Sequence, residues 1–249
     1  MNSIFTAFRD WRRARFANAY AASHGHRYTA HGIEVQVPPS VDAGVRYLLA
    51  KGRPYELEEA HFIETALAPG TPVIELGGSL GVISAVIRRQ IGPDAQHIAV
   101  EANPDLAPVC KANAGGGGKT EVVQGAVAYV DAPTVAFSRG RNAHEGKLAR
   151  SGDAGTFDAP ALQLSELVSR LPKAPFGLVC DIEGGELPML QNEPASTFEH
   201  VSHVVMEIHP KAFDAMGSSE AAFLALCAEK GLKQIERRAD VILFSGPAA

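Results

Sequence analysis

The run Glu75-Leu76-Gly77-Gly78-Ser79-Leu80-Gly81 stands where a short apolar strand gives way to a helix. Gly77 and Gly78 let the backbone turn sharply and let a ligand approach the main chain. Gly81 permits close packing of the helix on the sheet. The spacing is G-G-x-x-G, not the G-x-G-x-x-G of dinucleotide sites. Glu75 also sets a carboxylate where a pyrophosphate would be repelled and a cationic ligand would be welcome. Glu101 ends the next strand, from where a carboxylate can accept hydrogen bonds from both hydroxyls of a ribose. Ala102, Asn103 and Pro104 form the turn that follows it. Small residues in Gly125-Ala126-Val127 would leave a slot for a flat ring. A sulfonium, an ammonium, a ribose and an adenine are the parts of S-adenosylmethionine. The residues expected to hold it are Glu75, Gly77, Gly78, Ser79, Gly81, Glu101, Ala102, Asn103, Ala126, Val127 and Asp181.

Two further runs carry reactive groups, Asp181-Ile182-Glu183-Gly184-Gly185-Glu186 and Met206-Glu207-Ile208-His209-Pro210. Each follows or ends a strand, so both belong to the same carboxyl edge of a sheet as the glycine turn. Asp181, Glu183, Glu207 and His209 are therefore the expected catalytic group. Acids crowded at one edge perturb one another and serve in proton transfer, or they hold a hard divalent cation. An ordinary imidazole titrates near 6.5, which makes His209 the first candidate base and Asp181 the second. Alternation along a strand would point Glu207 and His209 to one face, with Glu207 or Asp181 orienting the imidazole. No compact ligand motif of known spacing is present, so a metal-free base is preferred to a cation and no residue is assigned to a metal.

The elements that must position these groups alternate. Strands are expected at Val73–Leu76, His97–Glu101 and residues 121–130, 177–181 and 203–208, with 134–137 pairing beside the third. Helices are expected at residues 56–67, 82–90, 105–114, 162–171 and 219–230. Repeated β-α units imply a parallel sheet with helices on both faces. The last two strands, 232–237 and 241–245, are joined too tightly for a crossover and must be antiparallel. That layout is expected of a Rossmann-like class I methyltransferase fold, α/β with a mainly parallel sheet ending in an antiparallel hairpin. Residues 1–51 read as an extension, a helix and a hairpin (26–37), ahead of a methyltransferase domain at 52–249. Ile4, Phe5, Phe8, Trp11 and Phe16 recur at helical spacing among arginines, so this helix is expected to pack on the domain or on a second copy, giving a homodimer. Residues 138–158, rich in glycine and bases, read as a long loop of the kind that forms lids.

The runs VIELGGSLGVIS, VEANP, CDIEGGELPML and VVMEIHP together resemble the FkbM family of S-adenosylmethionine-dependent methyltransferases. Gly52-Arg53-Pro54-Tyr55-Glu56 fits the pattern upstream, so the resemblance spans residues 52–245. It implies O-methylation of a hydroxyl on a sugar or a sugar- or polyketide-derived natural product. It also implies that Glu75 and the glycines line the methionine end, that Glu101 holds the ribose, and that Asp181, Glu183, Glu207 and His209 stand near the acceptor. Glu75 replaces the commoner Asp and Gly78 the commoner Ala. The four glycines at 115–118 and the 138–158 loop are particular to this chain.

Composition narrows the alternatives. The 249 residues are 46% hydrophobic and 20% charged, with net charge −5 and no sustained basic block, which speaks against nucleic acid as a partner. Cys110, Cys180 and Cys227 lie far apart, as expected of free thiols in the cytoplasm. No apolar run approaches the ~20 residues of a membrane span, and the N-terminus has no signal-peptide pattern. The competing functions are an NAD-dependent oxidoreductase and a non-catalytic cofactor-binding domain.

Overall fold

The computed structural model describes residues 2–115, 118–138, 146–148 and 155–249, the side chains of 2–7, 147 and 148 excepted. The chain opens with helix α1 (Asn2–His24), the hairpin β1 (Arg27–Ala30) and β2 (Ile33–Gln36), and α2 (Ala43–Ala50). Next come α3 (Leu57–Ala66), β3 (Val73–Leu76), α4 (Val82–Ile91), β4 (His97–Glu101), α5 (Ala107–Ala114) and β5 (Thr120–Gln124). A small second sheet follows, from β6 (Ala126–Val127), β7 (Thr134–Ser138), β8 (Lys147–Leu148) and β9 (Thr156–Leu162). The rest is α6 (Leu164–Val168), β10 (Phe176–Cys180), α7 (Glu186–Asn192), β11 (Val201–Glu207), α8 (Pro210–Ala215), α9 (Glu220–Glu229), β12 (Lys233–Arg238) and β13 (Val241–Ser245).

The main sheet has seven strands in the order β12-β13-β11-β10-β3-β4-β5. Neighbours from β11 to β5 run parallel, while β13 is antiparallel to both β11 and β12. This is a Rossmann-like α/β fold, with the mainly parallel sheet and terminal antiparallel hairpin that were expected. The central strands VIEL, HIAVE and FGLVC are buried throughout, as strands covered on both faces must be. Their side chains alternate between two cores. Ile74, Leu76, Ile98, Val100 and Leu178 meet α6, α7 and α9, whereas Val73, Val179 and Val205 meet α3 and α4. Each large apolar side chain so buried contributes roughly 1.5–3 kcal/mol. Strand order reverses where β3 lies between β4 and β10, which opens a crevice at their carboxyl ends.

Several expectations are corrected. The third strand stops at Gln124, because Gly125 donates its N–H to Glu101 O (3.0 Å) and the chain leaves the sheet. Residues 134–138 pair with β9 and not with the third strand. The 138–158 segment is therefore no continuous loop, since its end is strand β9. Arg139, Gly140, Arg141, His144, Arg150 and Gly152 lie outside the described residues, as do Gly116 and Gly117 of the tetraglycine. The helix expected at 162–171 is only the short α6. Helices α2, α7 and α8 were not anticipated; α2 is capped by Asp42, whose Oδ1 accepts from the amides of Gly44 (2.8 Å) and Val45 (3.0 Å).

At the N-terminus, the buried residues of α1, among its described side chains, lie in its second half. Ala17 and Ala21 are buried and Tyr20 stacks on Tyr28, but Phe8 and Trp11 are 57% and 55% exposed. Phe8 and Trp11 therefore do not pack on the domain of their own chain. The side chains of Ile4 and Phe5 lie outside the described residues. The hairpin and α2 do dock. Tyr28, Val35, Val45 and Leu49 form one cluster with Leu80, Val82 and Leu106, over the glycine turn. Asn113 of α5 ties the two parts, donating from Nδ2 to Gln36 O (2.9 Å) and Leu80 O (2.7 Å). No helix among the described residues is long and apolar enough to cross a membrane, and the three cysteines are free and buried.

Candidate active site

The turn after β3 is built around one carbonyl. Val100 O accepts from Gly77 N (3.0 Å) and Gly78 N (2.9 Å). Gly77 has φ +93°, and a Cβ there would lie 1.9 Å from Asp181 O. A Cβ on Gly81 would fall 2.7 Å from Cys110 O, so this glycine admits α5 beside α4, not the sheet as expected. Ser79 takes φ 44° and turns its N–H toward Glu101 Oε2 (2.7 Å). Asn103 N–H reaches Glu101 Oε1 (2.7 Å). Both oxygens of one carboxylate are thereby fixed from two directions. Burial pushes Glu101 up to about 7, against the pull of these two amides.

Glu101 stands in the wall of a cavity of about 280 Å³. Of the residues expected to hold a cofactor, Gly77, Ser79, Ala102, Ala126, Val127 and Asp181 line it too. Gly78, Gly81, Asn103 and Glu75 lie behind it. Glu75 is 1% exposed, and its Oε2 accepts from Ser84 Oγ (2.6 Å) and His97 Nε2 (2.9 Å). The expectation that Glu75 faces the ligand is therefore corrected: it sits on the α3–α4 side of the sheet and supports the turn from beneath. The sequence reading missed Tyr55 and Glu56 in the wall. Glu56 precedes α3 at φ 48°, and burial raises its carboxyl well above the usual range, helped by Asp181 and Glu59. Its only signal was its place in the upstream run 52–56, to which no role was attached.

At the other end of the crevice the carboxylates gather. The turn after β10 needs Glu183 at φ 54° and Gly184 at φ 101°, where a Cβ would lie 2.5 Å from Ala212 Cβ of α8. That close approach brings His209 over the turn. Its Nε2 is 3.4 Å from Glu183 Oε2 and 3.7 Å from Asp181 Oδ1, and its Nδ1 is 3.3 Å from Glu186 Oε1. Burial alone would lower the imidazole value, but Glu186, Asp181 and Glu183 outweigh it and raise it to about 9. His209 is then an imidazolium at neutral pH, which corrects the expectation of a neutral base. Glu186, not Glu207, faces Nδ1. It was missed because α7, which it begins, was missed.

Glu207 has a different setting. Buried Glu59 hydrogen-bonds to it, and burial together with the Glu207 carboxylate pushes Glu59 up to about 8. Glu59 thus carries a proton at neutral pH and donates it in a hydrogen bond to Glu207. Burial, with Glu207 the next largest influence, raises Asp181 well above the carboxylate range. Beyond this group lies a second cavity of about 680 Å³, walled by His209, Lys211, Met216 and Asp240 among others. Glu183, Gly185 and Glu207 line both cavities, so the two adjoin there.

No protein-family profile and no curated protein sequence matches the chain. Among solved structures, it is similar to Aeropyrum pernix fibrillarin in complex with S-adenosyl-L-methionine, at 15% identity and TM-score 0.46, over 77% of this chain and 74% of that one. It is similar to N-methyltransferase NodS from Bradyrhizobium japonicum, at 9% identity and TM-score 0.45, over 76% and 93%. The N-terminal domain of EvdMO1 with SAH bound gives 12% identity and TM-score 0.43, over 76% and 80%.

Proposed function

We propose that this chain is an S-adenosylmethionine-dependent O-methyltransferase of the FkbM kind, acting on a hydroxyl of a sugar or related natural product. The observation that carries the reading is Glu101, fixed by two backbone amides in the wall of a cavity that adjoins a second one at Glu207. The titratable lining of the first cavity, among the described residues, consists of Tyr55 and the carboxylates of Glu56, Glu101, Asp181, Glu183 and Glu207. Such a wall suits a ligand with a sulfonium and an ammonium and repels a pyrophosphate. It thereby weighs against the nicotinamide reading. The second cavity, with its carboxylate edge, supports catalysis over mere cofactor storage.

S-adenosylmethionine would supply a methyl group already activated on positive sulfur. The protein's own part is placement. Glu101 accepts from the ribose hydroxyls. Ala102, Leu106 and Val127 offer an apolar slot for the adenine. Asp181 and Glu56, which burial and crowding favour as neutral acids in the empty cavity, would regain charge beside a cation and stabilise it there. The acceptor occupies the larger cavity, with its hydroxyl brought to the junction. Glu207, held by Glu59, would take the hydroxyl proton as the carbon–oxygen bond forms and the methyl–sulfur bond breaks, leaving S-adenosylhomocysteine as the neutral thioether. Alignment of the two reacting atoms supplies most of the acceleration.

Thermal melts test the reading. S-adenosylhomocysteine at about a hundredfold excess over its dissociation constant stabilises by about 2.7 kcal/mol, and NAD does not. A shift with NAD alone, or none with S-adenosylhomocysteine at millimolar concentration, overturns it.

A further inference from the structure

Three residues at the junction leave polar atoms unsatisfied. Asp181 Oδ1, Glu186 Oε2 and His209 Nδ1 are all buried atoms without a hydrogen-bond partner. Glu186 is decisive among them, because its side chain is 0% exposed. Its Oε1 accepts from Ile182 N (2.9 Å) and faces His209 Nδ1, yet Oε2 has nothing. A buried carboxylate oxygen left so carries a desolvation penalty that no partner offsets. A proton on His209 balances part of the local charge but gives Glu186 Oε2 no partner, and an ion bound to the ring would displace that proton, since only a neutral imidazole has a lone pair to offer.

We propose that Asp181, Glu186 and His209 form a binding site for a divalent cation at the junction of the two cavities. One ligand atom from each residue lies within 4.8 Å of the other two. Atoms bonded at about 2.0–2.4 Å to one ion can be no farther apart than about 4.8 Å. The three come from separate elements: the end of β10, the first turn of α7, and the residue before α8. The donor set selects the ion. Two carboxylates favour Mg²⁺ or Mn²⁺, and an imidazole favours the softer of the pair, so Mn²⁺ is the expected occupant. Glu183 and Glu207 stand beside the group and add negative charge.

The site deepens the methyltransferase reading, on which its role rests. With three protein ligands, an octahedral ion keeps open positions toward the larger cavity. An acceptor oxygen taken there would be held for alignment and made more acidic. The substrate class is then a hydroxyl compound able to offer an oxygen to a hard ion.

The experiment uses the full chain, stripped with chelator and titrated with Mn²⁺ alone. Free Mn²⁺ is read by electron paramagnetic resonance, and S-adenosylhomocysteine binding is read separately by calorimetry in chelator. The expected result is one Mn²⁺ per chain, with affinity at least about tenfold weaker in Glu186→Gln. S-adenosylhomocysteine binding should persist in that variant and shows that it is folded. If Glu186→Gln does not fold, His209→Asn takes its place with the same expected loss. Wild-type chain that binds no Mn²⁺ at millimolar concentration overturns the site, and if it still binds S-adenosylhomocysteine the cofactor reading stands. Mn²⁺ binding equal in wild type and folded variants also overturns it. If wild type binds Mn²⁺ but not S-adenosylhomocysteine, a cooperative thermal melt shows that the variant is folded; Mn²⁺ binding lost in such a variant supports the site, and only the methyltransferase reading falls.

Discussion

The two ends of the crevice are both acidic, yet they are built in opposite ways. At the Glu101 end, each carboxylate oxygen meets a backbone amide at 2.7 Å, and the amides are aimed by the glycine turn and by Asn103. There both oxygens of the Glu101 carboxylate find partners within the chain, although Ser79 Oγ and Glu75 Oε1 nearby do not. At the His209 end, an imidazole faces three carboxylates at 3.3–3.7 Å, and buried polar atoms lack partners. Backbone amides can fix a carboxylate wherever the chain passes, whereas side-chain clusters depend on what else arrives. The first end is therefore preorganised to position, and the second is poised to react or to bind.

The largest effect should come from Gly77→Ala. It sets a Cβ 1.9 Å from Asp181 O at φ +93°, and Asp181 belongs to the other end. Both ends should fail together, with S-adenosylhomocysteine binding and the cooperative melt both lost. Binding that survives intact would show that the two ends do not share this turn. Next, Glu207→Gln should lower the methylation rate constant about 10²–10⁴-fold, the usual range for losing a general base. Affinity for S-adenosylhomocysteine should change little, since this residue serves the acceptor side. An equal loss in both measurements would place Glu207 at the cofactor end.

Glu101→Gln should show the reverse split. Loss of hydrogen bonds to a charged acceptor costs about 1.5–3 kcal/mol, or roughly 10- to 150-fold in affinity. The pH dependence sharpens this. Glu101 has its value raised to about 7, so it is increasingly protonated below that pH and loses charge as an acceptor. Affinity for S-adenosylhomocysteine should fall as pH drops through about 7 in wild type and stay flat in Glu101→Gln. Stability of the unliganded chain runs the other way. The folded state binds this proton more tightly than the unfolded one, so the contribution is present below the ordinary carboxyl value of 4.5 and is lost as pH rises through about 7. Opposite slopes for binding and stability identify Glu101; parallel slopes would remove it.

The smallest effect is expected far from the crevice. Trp11→Ser should alter the stability of a single chain by no more than about 0.5 kcal/mol, because Trp11 is 55% exposed. A melt that depends on protein concentration in wild type and not in the variant would show that a second copy covers this face.

The strands that carry the site could be read from the sequence. Val73–Leu76 and His97–Glu101 fall where their apolar runs and flanking turns put them. The close final hairpin also dictated its antiparallel pairing. Local pattern suffices there, because burial on both faces and short connections leave few alternatives. Asp181, Glu183, Glu207 and His209 could likewise be assigned to one edge, since parallel strands bring their carboxyl ends together. Only the tertiary structure decided what each of them touches. Glu75 turned to Ser84 and His97, because its place in the strand alternation points it toward α3 and α4. Glu186 displaced Glu207 beside the imidazole, because a glycine turn closed α8 onto the residues after β10. Glu56 reached the wall from a helix start that shows no ligand pattern of its own. Periodicity fixes which face a residue occupies, but the charge state of His209 follows from the number of carboxylates within 4 Å of it. That number is a property of elements far apart in the chain, and it exists only once they are packed.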